Sequence, residues 1–132
     1  MKEKLANLAL VARENAYAPY SDFKVGAAVL CDSGNVYTGA NVENISYGLT
    51  NCAERSALFA AVSAGERKIT AVAIAGGKGE VQVCMPCGAC RQVLSEFADK
   101  NCTVYLVKSE TEIRECTLGE LLPHTFGEEE NV

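Results

Sequence analysis

The chain has 132 residues, seventeen acidic against twelve basic, and a formal net charge of −5. That length suits one compact domain and leaves no room for two. The acid excess disfavours a protein that grips a phosphate backbone, whose affinity comes from Lys and Arg, and makes a small, weakly charged ligand the easier expectation.

Leu5, Leu8, Ala9, Ala12 and Ala16 recur at helical spacing, so residues 2–16 read as an amphipathic helix. Asn7 and Arg13 interrupt its apolar stretch and no small-residue cleavage site follows. The expectation is a cytoplasmic chain with neither signal peptide nor membrane span. Pro19 pushes Ala18 out of the helical region and ends the helix. Phe23–Cys31 reads as a strand, Asp32-Ser33-Gly34-Asn35 as a tight turn, and Val36–Ala40 as the hairpin partner. After a polar stretch, residues 53–64 are rich in Ala and Leu and close at Gly65, a helix with a glycine stop.

The unbroken apolar run ITAVAIA at 69–75 suits a strand buried on both faces, and residues 76–79 read as a flexible loop. A third helix follows Pro86 over 88–98, then strands over 102–107 and 112–116, a short helix over 118–122, and a loose acidic tail from 127 to 132. This order predicts a three-layer α/β/α domain over residues 1–132, with a mixed, mostly parallel five-stranded sheet and its hairpin first.

Seven cysteines in a reducing compartment make a poor disulfide framework, and the odd count agrees. Cys52-Ala53-Glu54 and Pro86-Cys87-Gly88-Ala89-Cys90 matter together. A lone C-x-x-C is weak, but C-x-E paired with P-C-x-x-C is the signature of zinc deaminases, whose Glu is not a ligand. Cys52 and Cys87 each open a predicted helix, where about half a positive charge favours the thiolate. Cys90, one turn on, can return to the same ion. Three protein ligands leave a fourth position for water, as catalytic sites do. Three thiolates on Zn²⁺ sum to −1 and weaken it as a Lewis acid. The two helix ends and Arg55 are the candidates to offset that charge. Glu54 is placed to serve as both base and acid.

From about Tyr17 to Phe126 the chain resembles the small homotetrameric cytidine deaminases with three cysteine ligands. Residues 16–28, AYAPYSDFKVGAA, resemble the family's first signature, which implies that Phe23 lines the base pocket. Asn41-Val42-Glu43-Asn44 resembles the N-[IV]-E-N segment, implying ribose-hydroxyl contacts for Asn41 and Glu43. Tyr47 matches a tyrosine near the sugar, contributed across a subunit contact. Ala53 corresponds to the backbone that meets the base edge. Leu121-Leu122-Pro123-His124-Thr125-Phe126 resembles the L-L-P-x-x-F ending, whose Phe stacks on a base in a neighbouring subunit, an effect of roughly 1–3 kcal/mol. The dimeric branch has a His as first ligand where this chain has Cys52. The resemblance therefore implies a cytidine-deaminase-like fold with one zinc per subunit on Cys52, Cys87 and Cys90. It implies hydrolysis of cytidine and 2′-deoxycytidine to uridine, deoxyuridine and ammonia, in pyrimidine salvage. Water activated on the zinc attacks C4 while Glu54 shuttles protons. The partners implied are a nucleoside and further copies of the chain in a homotetramer with shared sites, without nucleic acid or membrane.

The residues by themselves leave other readings open. Cys84 could be the fourth ligand of a structural zinc site, although a closed site has no use for Glu54. The substrate could be another cytosine-bearing compound, such as an antibiotic or a polynucleotide. Cys87 and Cys90 could form a redox dithiol, which would not explain Cys52 or Glu54. Phe23 and Tyr47 could be packing residues and Glu43 a solvated carboxylate. Cys31 and Cys102 read as plain buried cysteines, Cys84 and Cys116 as non-ligands, and His124 as a surface residue. Phe126, beside a loose tail, is oddly placed for the core.

Overall fold

A computed structural model describes residues 1–127, so most of the expected acidic tail, from 128 on, lies outside the described residues. In chain order the elements are α1 (Lys2–Arg13), β1 (Phe23–Cys31), β2 (Val36–Ala40), α2 (Ala53–Ser63), β3 (Ile69–Lys78), α3 (Gly88–Phe97), β4 (Thr103–Val107), β5 (Ile113–Thr117) and α4 (Leu118–Leu121). A single 3-10 turn, Tyr47–Leu49, precedes α2. The strands form one sheet in the order β2-β1-β3-β4-β5.

The period-two alternation of strand side chains builds three layers. On one face Ala71, Ala73 and Ala75 of β3 pack with Leu5, Ala6 and Ala9 of α1. On the other, Val72 and Ile74 pack with Ala57 and Leu58 of α2 and Leu94 of α3. The alanine face lets α1 lie close to the sheet. At Gly26 the approach is so tight that a Cβ would sit 2.1 Å from the Ala9 carbonyl oxygen.

The sheet is mixed and five-stranded, as expected, but it is not mostly parallel. Only β3 and β4 pair in parallel; β1/β2, β1/β3 and β4/β5 are antiparallel. The α2 crossover joins β2 to β3, which run in the same direction but are separated by β1. Each therefore pairs antiparallel with β1. The turn between β4 and β5 is too short for a crossover, so these strands form a hairpin.

Two boundaries also differ from the sequence reading. The chain leaves α1 after Arg13 through i→i−3 contacts, Asn15 N–H to the Ala12 carbonyl at 3.0 Å and Ala16 N–H to that of Arg13 at 3.1 Å. The Arg13 guanidinium then donates to the carbonyls of Lys24, Gly77 and Gly79 at 2.9, 2.8 and 2.6 Å. Further on, residues 76–78 are strand rather than flexible loop, with Gly76 opposite Val25 and Gly77 opposite Lys24. The chain reverses at Gly79, with φ of +77°, and passes back over Gly77, where a Cβ would be 2.1 Å from the Glu80 oxygen. Among the described residues no helix is long and apolar enough to cross a membrane.

Candidate active site

The loop between β2 and α2 is folded back so that its two ends meet. Val42 and Asn51 exchange both backbone hydrogen bonds at 2.9 Å, while the Tyr17 N–H donates to the Asn41 carbonyl and the Glu43 N–H to that of Tyr17. Asn41 and Cys52 are thereby brought to one cavity although ten residues of chain lie between them.

Cys52 and Cys87 are the N-cap residues of α2 and α3, both in extended backbone conformation, and neither side chain makes a capping hydrogen bond. Their thiols point at one another instead. The Cys52 and Cys87 sulfurs lie 3.8 Å apart, those of Cys87 and Cys90 3.4 Å apart, and all three fall within 4.8 Å of one another. A tetrahedral zinc with bonds of about 2.3 Å separates its sulfurs by about 3.8 Å. The donor set and its spacing thus fit a zinc ion held by three soft ligands with one position left open.

The surroundings favour ionisation of one thiol, Cys52. A hydrogen bond from Cys90, and then one from Arg55, lowers the Cys52 thiol to about 5, whereas the same Cys52 contact and burial raise Cys90. Arg55 Nη2 donates to the Cys52 sulfur at 3.2 Å, and Arg55 Nε is buried without a hydrogen-bond partner. Glu54, 4% exposed, points into the cavity from the first turn of α2. Burial raises its carboxyl above the ordinary carboxylate range, and the neighbouring Cys52 charge pushes the same way.

This cavity, of about 140 Å³, is lined by Val25, Asn41, Thr50, Cys52, Ala53, Glu54, Cys84, Met85 and Cys87. An outer and larger recess of about 370 Å³ is lined by Tyr20, Ser21, Glu43, Asn44, Tyr47 and Thr50. Thr50 is common to both, so they adjoin. The outer recess holds none of the clustered thiols; the chemistry belongs to the smaller cavity.

A family model described as the cytidine and deoxycytidylate deaminase zinc-binding region matches residues 1–106. The chain belongs to the cytidine and deoxycytidylate deaminase family. A cytidine deaminase of Halalkalibacterium halodurans is 51% identical over 130 residues, covering 98% of this chain and 96% of the relative. One from Sporosarcina psychrophila is 49% identical, covering 97% and 93%. The crystal structure of cytidine deaminase from Burkholderia pseudomallei superposes with a TM-score of 0.87 at 47% identity, covering 96% of this chain and 99% of that one.

Within this deaminase family member the residues singled out in the sequence fall into three groups. Cys52, Ala53, Glu54 and Cys87 line the inner cavity, with Cys90 buried behind them and Arg55 against Cys52. Asn41 joins them, and its amide also ties the start of β1, accepting from the Val25 N–H at 2.9 Å and donating to the Phe23 carbonyl at 2.8 Å. Glu43 and Tyr47 line the outer recess. The Glu43 carboxylate accepts from the Ser21 hydroxyl and from the N–H groups of Tyr20 and Ser21 at 2.9 and 3.1 Å. The Ser21 contact, followed by those N–H groups, holds it below the ordinary range. Tyr47 is 75% exposed and meets Tyr20 edge-on, with ring centroids 6.2 Å apart.

Phe23 and Phe126 lie apart from these groups. Phe23 packs against the core on the α2 side and is not among the cavity's lining residues. Phe126 is 92% exposed, with its carbonyl accepting from Gln92 at 3.4 Å. Cys84 is in the cavity wall but outside the thiol cluster, its thiol pushed up to about 11 by burial and the nearby charges of Glu54, Cys52 and Cys87. Cys31 and Cys102 are buried and His124 is exposed, as expected. Val25, Thr50 and Met85 were not foreseen in the cavity. Each looks like an ordinary strand or loop residue in sequence, and only the fold brings them together.

Proposed function

We propose that the chain, acting as one domain, is a cytidine deaminase that hydrolyses cytidine and 2′-deoxycytidine to the uracil nucleosides and ammonia. The observation that carries this reading is a cluster of three thiols, two of them in the wall of a small cavity, with one buried carboxyl in the same wall. The relatives of about half identity over nearly the whole length bear the name cytidine deaminase, which supports the substrate.

Cys52, Cys87 and Cys90 would hold the zinc. When bound, zinc supplies a Lewis acid that makes water nucleophilic near neutral pH. Glu54 takes a proton from the attacking water, delivers it to N3 of the pyrimidine as C4 is attacked, and carries a second to the departing ammonia. One carboxyl whose burial strengthens its hold on a proton can act both as base and as acid. Arg55 stays charged and offsets the thiolates. Ala53 offers backbone groups to the base edge, and Phe23 stiffens the wall of the base pocket.

Asn41 and Glu43 meet the ribose hydroxyls. A carboxylate has about four acceptor positions; the contacts from Ser21 and Tyr20 leave Glu43 with capacity for one more. Tyr47 packs beside the sugar. Ile45, Tyr47, Leu49 and Phe126 are 79%, 75%, 72% and 92% exposed, which supports burial against further copies of the chain in a homotetramer, with Phe126 stacking in a neighbour's site. Seven free cysteines suit the reducing cytoplasm, where thiol ligands persist, and the reaction suits pyrimidine salvage.

The test is the ultraviolet absorbance of cytidine mixed with zinc-loaded protein. Loss of the cytosine band with release of ammonia is the expected result. Zinc-loaded, folded protein that leaves cytidine intact would overturn the reading.

A further inference from the structure

The lining of the inner cavity is chemically mixed. Asn41, Thr50 and Glu54 give it polar groups, and Val25, Cys84 and Met85 give it apolar ones, with Val25 and Cys84 side by side over Gly76. A cytosine ring is mixed too, with N3, O2 and the amino group along one edge and only the C5 and C6 hydrogens along the other. Leaving a buried polar group unpaired is costly, so the polar edge faces Glu54 and its neighbours. The C5–C6 edge then lies against Val25, Cys84 and Met85.

Cys84 holds its place in the cavity wall because of the residue beneath it. A Cβ on Gly76 would lie 3.0 Å from Val25 Cγ2 and 3.1 Å from the Cys84 sulfur, so both side chains close over bare backbone. The segment is tied down by the Gln82 N–H, which donates to the Gly76 carbonyl at 2.8 Å. Cys84 is also near enough to Glu54, Cys52 and Cys87 to feel their charges. On the deaminase reading those groups would surround the reacting C4, and C5 is the carbon next to it.

We propose that Cys84 determines which substituents at C5 of the pyrimidine this site accepts. The proposal rests on the deaminase reading above and adds a residue that takes no part in the chemistry. A thiol is compact and apolar when protonated, and it leaves room for a hydrogen or a small group against the wall. A branched side chain there fills that room, while alanine enlarges it. Packing of this kind discriminates by about tenfold or more per carbon gained or lost.

The experiment compares kcat/KM for cytidine and 5-methylcytidine in the wild type and in C84A, C84V and C84L, with zinc quantified in each. The 5-methylcytidine to cytidine ratio is expected to fall about tenfold or more in C84L, to fall less in C84V, and to rise in C84A. Should C84L not fold or not hold zinc, C84A and C84V carry the test with opposite expected signs. Ratios within about twofold of the wild type in both zinc-loaded variants, with cytidine still turned over, would overturn the proposal while leaving the deaminase reading intact. Zinc-loaded wild type that converts neither nucleoside removes the deaminase reading, and the proposal falls with it.

Discussion

Glu54 sits one residue inside α2, almost wholly buried, beside the Cys52 thiol, which hydrogen bonds from Cys90 and Arg55 hold below the ordinary thiol range. Glutamine keeps the shape of that side chain but cannot take a proton from water. E54Q is therefore expected to reduce kcat by ~10²–10⁴, with the zinc content of the purified protein unchanged. A variant that lost zinc as well would show Glu54 to be part of the metal's support. Arg55 would act through Cys52, the proposed zinc ligand it touches. With its guanidinium 3.2 Å from Cys52, R55A should weaken metal retention or turnover by ~10–100-fold, read by chelator competition and by kcat. An unchanged R55A would remove Arg55 from the account.

The thiol cluster and Glu54 were legible in sequence because two short motifs fall at helix starts, and a helix start fixes where its first side chains point. The cavity walls were not. Val25, Thr50, Cys84 and Met85 come from three separate segments, and nothing local to any of them signals the meeting. Phe23, which the resemblance assigns to the base pocket, is half-buried against the core, a position that no local pattern records.

At the scale of elements, the β1–β2 turn is tied to the end of α2 by one carboxylate. Glu66 accepts from Ser33 Oγ at 2.9 Å, Asn35 Nδ2 at 3.0 Å and Tyr37 OH at 3.1 Å. These donors, Asn35 foremost, lower its carboxyl below the ordinary 4.5. A group lowered in the folded state stabilises it fully above the unfolded value and ceases to do so as pH falls through the folded one. The thermal midpoint of the wild type should therefore drop more steeply with acid below about pH 4.5 than that of E66Q. Parallel acid limbs in the two melts would show that the tie contributes nothing. Strand and helix positions were legible from hydrophobic period, and Gly65 stopped α2 as its sequence suggested, with φ of +103°. Strand direction was not legible. It depends on β1 lying between β2 and β3, and no periodicity within a strand records its neighbour.

For the whole molecule, the surface near the end of α4 sets the expectation. A phenylalanine 92% exposed is poorly used in an isolated chain. Sedimentation should give a mass well above the 14.0 kDa of one chain. F126A should lower kcat/KM for cytidine by about tenfold, as lost stacking predicts, without loss of zinc. A fully active monomer would show each cavity to be complete in itself.

The two N-caps carry one further consequence. Cys52 and Cys87 stand where Ser, Thr, Asp or Asn would ordinarily secure the first turn, and neither does so. A shared ion would then fasten both helices at once, and its removal would loosen two ends in one event. Amide hydrogens in the opening turns of α2 and α3 should exchange together when a chelator is added, and trypsin should find Arg55 and Arg91, which lie in those turns. Metal supply would thus govern how long the chain survives in the cell as well as how fast it works.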